Sequence, residues 1–133
     1  MAIDNPFPCL MVRLNRMDNP ECHVEEITID QLPPGEALIQ VAASSLNYKD
    51  ALACRAHPGV VKKLPHVPGI DCVGRVVECA SGELAPSDPV LVTGYGLGSE
   101  QWGGWAEYVR VPADWPVRLP AELTPEEAMT YGT

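Results

Sequence analysis

Four consecutive polar side chains, Asn47, Tyr48, Lys49 and Asp50, lie within the stretch SSLNYKDALACRAHPG. This stretch begins where an alternating apolar segment ends. The asparagine amide both donates and accepts hydrogen bonds, and the tyrosine hydroxyl can donate a proton. Together these two groups can hold a carbonyl or an amide and stabilise a developing negative charge. They also suit a structural role, because Asn47 can cap a helix and Asp50 can accept hydrogen bonds from loop amides. The residues alone leave both interpretations open.

Other reactive side chains lack a recognisable pattern. No two histidines are spaced four residues apart, and none of the five cysteines lies in a CxxC pair, so a metal site is not expected. The segment GYGLGS (94–99) has a GxGxG spacing and continues as loop and strand. A pyrophosphate site requires a helix N-terminus after its glycines. The segment is therefore interpreted as a tight loop beside a site or as a plain turn.

The elements around these residues are short and closely spaced. Apolar and alternating runs predict strands at 7–16, 22–29, 36–44, 70–80, 89–94 and 105–111, with one or two helical turns at 47–55. Gly74 lies inside a strand, which indicates a bulge or a close backbone approach. A helix is predicted to open at Thr124, with Pro125 in its first turn, and to continue past Thr133. Such a chain is mainly β with short helices, and its strand spacing favours a partly open β-barrel.

Charge and composition exclude several classes of protein. The net charge of −9 argues against nucleic-acid binding. Residues 37–70 nevertheless carry four basic residues against one acid, which suits either a small anion or an ordinary solvated loop. No apolar run approaches the ~20 residues of a membrane helix, and an acid precedes the first apolar run where a signal peptide is basic. A cytoplasmic protein with reduced thiols is expected.

Four segments fall in order along the chain: SSLNYKDALA, PHVPGIDCVGRVV, VLVTGYGLGSEQWGGWAEYVRV and PEEAMTYGT. They resemble the N-terminal part of the medium-chain dehydrogenase/reductase superfamily, in particular its zinc-independent quinone oxidoreductase-like branch, which includes acryloyl-CoA reductases. The resemblance implies a GroES-like catalytic domain at residues 1–123. It also implies that residues 124–133 begin a helix leading to a dinucleotide-binding Rossmann domain, which is absent from this chain.

The resemblance also implies a site without zinc. Zinc-dependent members carry Cys, His and Cys where this sequence has Asn47, Ile70 and Thr133. An amide, an alkyl group and a hydroxyl cannot replace those ligands.

In members of this branch a nicotinamide cofactor, usually NADPH, reduces an activated carbon–carbon double bond in acryloyl-CoA, an enone or a quinone. By resemblance, Tyr48 is the polarising donor or proton source, Asn47 positions the carbonyl or the nicotinamide, and Asp50 fixes the loop. The implied cofactor contacts are Asn47, Tyr48, Thr93, Gly94, Tyr95 and Thr133. Charge alone suggests that Lys62 and Lys63 face the phosphates of a CoA thioester.

The isolated chain is expected to be inactive, since the implied pyrophosphate site lies in a domain that it lacks. A full-length enzyme of this kind would act on a small molecule, and a homodimer is its candidate oligomeric state. The alternatives are a non-enzymatic GroES-like binding or assembly module, and one half of a split reductase.

Overall fold

The computed structural model describes residues 4–133, so the first three residues of the predicted domain 1–123 lie outside it. The predicted strands and both predicted helical segments are confirmed, with bounds that differ by a few residues. A short 3-10 turn at Ile29–Gln31 and a two-residue strand at Val117–Arg118 were not predicted. In chain order the elements are β1 (Phe7–Leu14), β2 (Pro20–Ile27), β3 (Ala37–Ser44), α1 (Tyr48–Cys54), β4 (Asp71–Cys79), β5 (Pro89–Thr93), β6 (Tyr108–Val111), β7 (Val117–Arg118) and α2 (Pro125–Tyr131).

The strands form two antiparallel sheets. Strands β1 and β2 make a hairpin, and the other five strands form a sheet in the order β6-β3-β4-β5-β7. Isolated bridges from β1, Cys9 to Ala106 and Val12 to His66, connect the hairpin to loops of the larger sheet. The sheets do not close into one continuous ladder, which confirms the predicted partly open, mainly β architecture.

Strand β3 is buried on both faces where it crosses the middle of the domain. Ile39 packs into a cluster with Val76, Val92 and Val109 inside the five-stranded sheet. Its neighbour Leu38 packs into a second cluster, which holds the hairpin against the sheet. Because successive strand residues point to opposite faces, a run of consecutive apolar residues is what a strand between two cores requires.

Gly74 marks a close backbone approach, as predicted. A Cβ atom at this position would lie 2.0 Å from the carbonyl oxygen of Gln40 on β3. The pairing between β3 and β4 shifts register between Val41 and Ala43, beside this contact. The bulge bends the two strands, and the contact excludes any side chain at residue 74.

Helix α2 begins as predicted but is shorter than expected. Thr124 caps it, and the side chains and backbones of Thr124 and Glu127 form a reciprocal capping box. The prediction that the helix continues past Thr133 is wrong, since α2 ends at Tyr131. Gly132 takes a positive φ of 59°, and the backbone N–H of Thr133 bonds to a carboxylate instead of a helix carbonyl. No helix within residues 4–133 has the length and apolar character needed to cross a membrane.

Candidate functional site

The residues singled out by sequence are concentrated at one end of the five-stranded sheet. Ser44, the last residue of β3, pairs with Cys72, and Asp71, the first residue of β4, pairs with Thr93 at the end of β5. We call this region, defined by Ser44, Asp71 and Thr93, the site end of the sheet. Helix α1 starts four residues after Ser44, so the short link delivers its first turn to the same region.

Asp50 is fully buried beneath the site end. Its Oδ1 accepts the backbone N–H groups of Gly69 at 3.1 Å and Ile70 at 3.0 Å, and its Oδ2 accepts that of Asn47 at 2.9 Å. Burial raises the pKa of the Asp50 carboxyl, while these backbone hydrogen bonds oppose the change. The carboxylate therefore ties the first turn of α1 to the segment before β4 and is closed to solvent.

Asn47 is the N-cap of α1, and both ends of its amide are engaged. Its Oδ1 accepts the backbone N–H of Lys49 at 3.0 Å, and its Nδ2 donates to the carbonyl oxygen of Thr133 at 2.8 Å. The second contact spans 86 positions of sequence and joins two residues that the sequence assigned to the same site. The orientation of the amide is fixed before any ligand binds.

Asp71 is a residue that sequence reasoning missed. It is fully buried, and one carboxylate oxygen accepts the Ser45 hydroxyl at 2.7 Å and the Thr133 backbone N–H at 2.9 Å. The Thr133 hydroxyl donates to the other oxygen. Among the described residues, the buried polar or charged side chains are those of Asp50, His66 and Asp71. A lone acid at the start of the apolar strand IDCVGRVV was the available signal, since buried acids require dedicated partners.

The other side chains at the site end are exposed. Tyr48 is 77% exposed on the first turn of α1, and Tyr95 is 61% exposed in the loop after β5. Tyr95 has a positive φ of 61°, and its ring stacks on Trp115 with a centroid separation of 5.7 Å. Leu46 and Tyr131 are also largely exposed next to the Asn47–Thr133 link. Thr93 is exposed at the end of β5, and Gly94 turns the chain with a φ of 77°.

Lys62 and Lys63 do not lie together. Lys62 lines a hollow of about 220 Å³ with Lys49, Ser99 and Glu100, and its Nζ donates to the carbonyl of Pro58 at 3.2 Å. Lys63 lines a different hollow, beside His66 and Trp102. The structure thus brings Lys62 to Lys49, a residue of the original polar cluster, and separates it from its sequence neighbour.

These residues fit the ring end of a nicotinamide cofactor. Exposed apolar and aromatic side chains lie beside a fixed amide and a tyrosine hydroxyl, which suits a flat ring bearing a carboxamide. The pyrophosphate has no comparable site in residues 4–133, because the glycine loop at 94–99 leads into β6 and no helix begins there. Within those same residues, no group of three or more His, Cys, Asp or Glu side chains could hold a metal ion.

A partly open β-barrel with a polar cluster at one end of its main sheet is the architecture of a GroES-like domain. The family description "Alcohol dehydrogenase GroES-like domain" matches residues 33–121, and the chain belongs to this family. The resemblance drawn from the sequence is thereby confirmed.

Two relatives are similar to the chain over most of its length. The chain is 44% identical over 127 residues to the putative quinone oxidoreductase YhfP of Bacillus subtilis, covering 96% of this chain and 38% of the relative. It is 41% identical over 110 residues to the acrylyl-CoA reductase AcuI of Ruegeria pomeroyi, covering 83% and 33%. The chain therefore matches only about a third of the length of these relatives, 38% of one and 33% of the other.

A solved structure is also similar to this chain in both sequence and fold. The YhdH oxidoreductase of Salmonella enterica in complex with NADP is 38% identical and superposes with a TM-score of 0.88. The match covers 94% of this chain and 38% of that one.

Proposed function

We propose that this chain is the catalytic-domain segment of an NADPH-dependent, zinc-free oxidoreductase that reduces a carbon–carbon double bond conjugated to a carbonyl group. The observation that carries the proposal is the hydrogen-bonded frame of Asp50, Asn47, Thr133 and Asp71, which fixes the helix turn bearing the exposed Tyr48. Similarity to proteins named as a quinone oxidoreductase and an acrylyl-CoA reductase supports the same reaction class.

In the proposed mechanism, Asn47 and Tyr48 would hold the nicotinamide ring, and the bound cofactor would supply the hydride for the β-carbon of the acceptor. The Tyr48 hydroxyl donates a hydrogen bond to the acceptor carbonyl, where negative charge accumulates, and Tyr48 is the candidate source of the proton. The Asn47 amide, already oriented by Lys49 and Thr133, positions the carbonyl or the carboxamide. Asp50 acts indirectly, by holding α1 in place.

The substrate is proposed to be a CoA thioester of the acryloyl type, with quinones and enones as competing classes. Lys49 and Lys62 line one hollow, where two basic residues stand against the single acid Glu100, so they are the candidate contacts for a phosphate, and Lys63 is the weaker candidate. Replacing Lys49 and Lys62 by alanine should raise KM for acryloyl-CoA and leave KM for a small quinone unchanged. Arg16→Ala, at the exposed turn between β1 and β2, is the control for loss of a positive charge outside the proposed site.

The central test is Tyr48→Phe in the protein that carries this chain, assayed by NADPH oxidation with acryloyl-CoA. The substitution removes one hydroxyl from an exposed ring, so folding should be unaffected while kcat falls by ~10²-fold or more. Tyr108→Phe, on the half-buried ring that packs edge-to-face on Phe7, controls for loss of a tyrosine hydroxyl elsewhere. Unchanged kcat in Tyr48→Phe would remove Tyr48 from the mechanism.

We further propose that the 133-residue chain does not turn over by itself, because the described residues offer no pyrophosphate site. Isothermal titration with NADPH should detect no binding at micromolar concentration, and micromolar affinity would contradict this. Turnover restored by adding a separate dinucleotide-binding chain would favour the split reductase. Absence of any NADPH-dependent activity in the parent protein would favour a binding module.

A further inference from the structure

Two half-buried cysteines that are distant in sequence meet at the C-terminal end of helix α1. Cys22 lies on β2, and Cys54 is the last residue of α1. The Sγ atom of Cys22 lies 3.3 Å from the carbonyl oxygen of Cys54 and donates to it, which places the Cys22 thiol against the residue that bears the second thiol. Both thiols are free.

We propose that Cys22 and Cys54 form a redox-active pair that hydroperoxides convert to an intramolecular disulfide. One thiol attacks the peroxide oxygen, which forms a sulfenic acid and releases an alcohol or water. The second thiol then attacks the sulfenic sulfur, and the departing hydroxide takes up the remaining proton as water. Two thiols and one hydroperoxide thus give one disulfide, one alcohol and one water.

The surroundings of the two thiols determine which one reacts with the peroxide first. Burial, followed by the influence of the neighbouring Cys22, raises the pKa of the Cys54 thiol to about 12. Because the thiolate is the nucleophile, Cys54 reacts poorly with a peroxide from solution. Cys22 therefore reacts first, and Cys54, whose backbone carbonyl the Cys22 sulfur contacts, acts as the resolving thiol.

The remaining cysteines are placed differently. Cys9 and Cys72 are buried, and burial raises the pKa of their thiols to about 11 and about 12. Cys79 is part-exposed at the other end of β4, where its sulfur lies 3.3 Å from the Ser81 hydroxyl. Burial opposes the change, but hydrogen bonds with Ser81 and nearby backbone groups lower the pKa of its thiol, so Cys79 is an accessible, peroxide-reactive control whose sulfur contacts a hydroxyl rather than a second cysteine.

The disulfide would close a loop of 32 residues and fix the end of α1 against the hairpin. The same helix begins next to Asn47, so oxidation would restrain the element that carries the candidate site. The disulfide itself does not rest on the proposed function and can be tested without an activity assay.

The test treats the 133-residue chain with hydrogen peroxide, alkylates all remaining thiols after unfolding, and maps the peptides by mass spectrometry. We expect a peptide containing Cys22 linked to one containing Cys54, with two of the five alkylatable thiols lost to this link in addition to any oxidation of Cys79. Reduction with dithiothreitol should restore all five. In Cys79→Ser, four thiols should fall to two.

Cys22→Ser and Cys54→Ser should each abolish the linked peptide, and alanine variants at the same positions serve if a serine variant fails to fold by circular dichroism. Sulfinic acid at Cys22 without a link to Cys54 would overturn the proposal. Five persistent thiols, or disulfide-linked dimers through Cys79, would also overturn it.

Discussion

The Oδ1 atom of Asp50 lies 3.0 Å from the backbone nitrogen of Ile70, which joins the first turn of α1 to the segment that enters β4. Asp50→Ala would leave the backbone N–H groups of Asn47, Gly69 and Ile70 without their acceptor. Each orphaned buried donor costs about 1–3 kcal/mol, so the free energy of unfolding should fall by at least ~3 kcal/mol. Urea denaturation measures this. Asp50→Asn retains one acceptor oxygen, so its loss in the free energy of unfolding should be roughly half as large. A loss below ~1 kcal/mol in the alanine variant would show that these hydrogen bonds do not stabilise the fold.

Asp71→Asn should loosen the end of α2. The asparagine keeps one acceptor oxygen and replaces the other with a donor, so Ser45 or Thr133 loses its partner. We expect a loss of about 1–3 kcal/mol in urea denaturation and faster hydrogen exchange at the Thr133 amide. Glu126→Gln, on the exposed first turn of α2, removes a similar charge and should change neither measurement.

Gly74→Ala should strongly destabilise the sheet. The new Cβ atom would lie 2.0 Å from the Gln40 carbonyl oxygen, and both backbones are held by strand pairing. We expect a loss of ~3 kcal/mol or more. Gly82→Ala is the comparison, because a Cβ there meets nothing within 4 Å and suffers only from its φ of 77°, which costs about 1 kcal/mol. Equal losses in the two variants would show that the close approach is unimportant.

His66 should make stability depend on pH. Burial lowers the pKa of this imidazole, and the hydrogen bond between Nε2 and the Gly98 carbonyl at 2.7 Å only partly opposes that effect. Below the unfolded pKa of about 6.5, the unfolded chain binds a proton that the folded chain does not, so this contribution is complete above that pH and is lost as the pH falls.

His66→Gln retains a donor for the Gly98 carbonyl but cannot titrate. Thermal melts between pH 7.5 and pH 5 should therefore show a smaller decline in Tm for the variant than for the parent chain. Parallel declines would exclude His66 as a source of the pH dependence.

The strands were predictable because their apolar patterns are local. The run at 70–80 and the glycine within it indicated both β4 and its bulge, since no side chain fits against Gln40. Strand β7 was missed because Val117 and Arg118 are both exposed and carry no burial pattern. The end of α2 was missed because the partner of the Thr133 amide, Asp71, lies 62 residues away.

The candidate site also has parts that a local pattern predicts and parts that depend on contacts between residues distant in sequence. The cluster at Asn47–Asp50 is visible in sequence because its members are adjacent. Pairing Lys62 with Lys49 depends on the path of the loop between them, which local pattern does not specify. The role of Asp71 could not be predicted in the same way, because it depends on which residues pack against its strand. No short segment of sequence contains that information.

Three glycines meet where the loop after β5 crosses the segment before β4. A Cβ on Gly98 would lie 2.6 Å from the carbonyl carbon of Gly69, and one on Gly103 would lie 2.3 Å from its oxygen. Main chain rests directly on main chain here, so directed-evolution libraries of this loop should keep both positions constant. Diversity belongs at Tyr95 and Glu100, whose side chains face outward and can change ligand preference without disturbing the crossing.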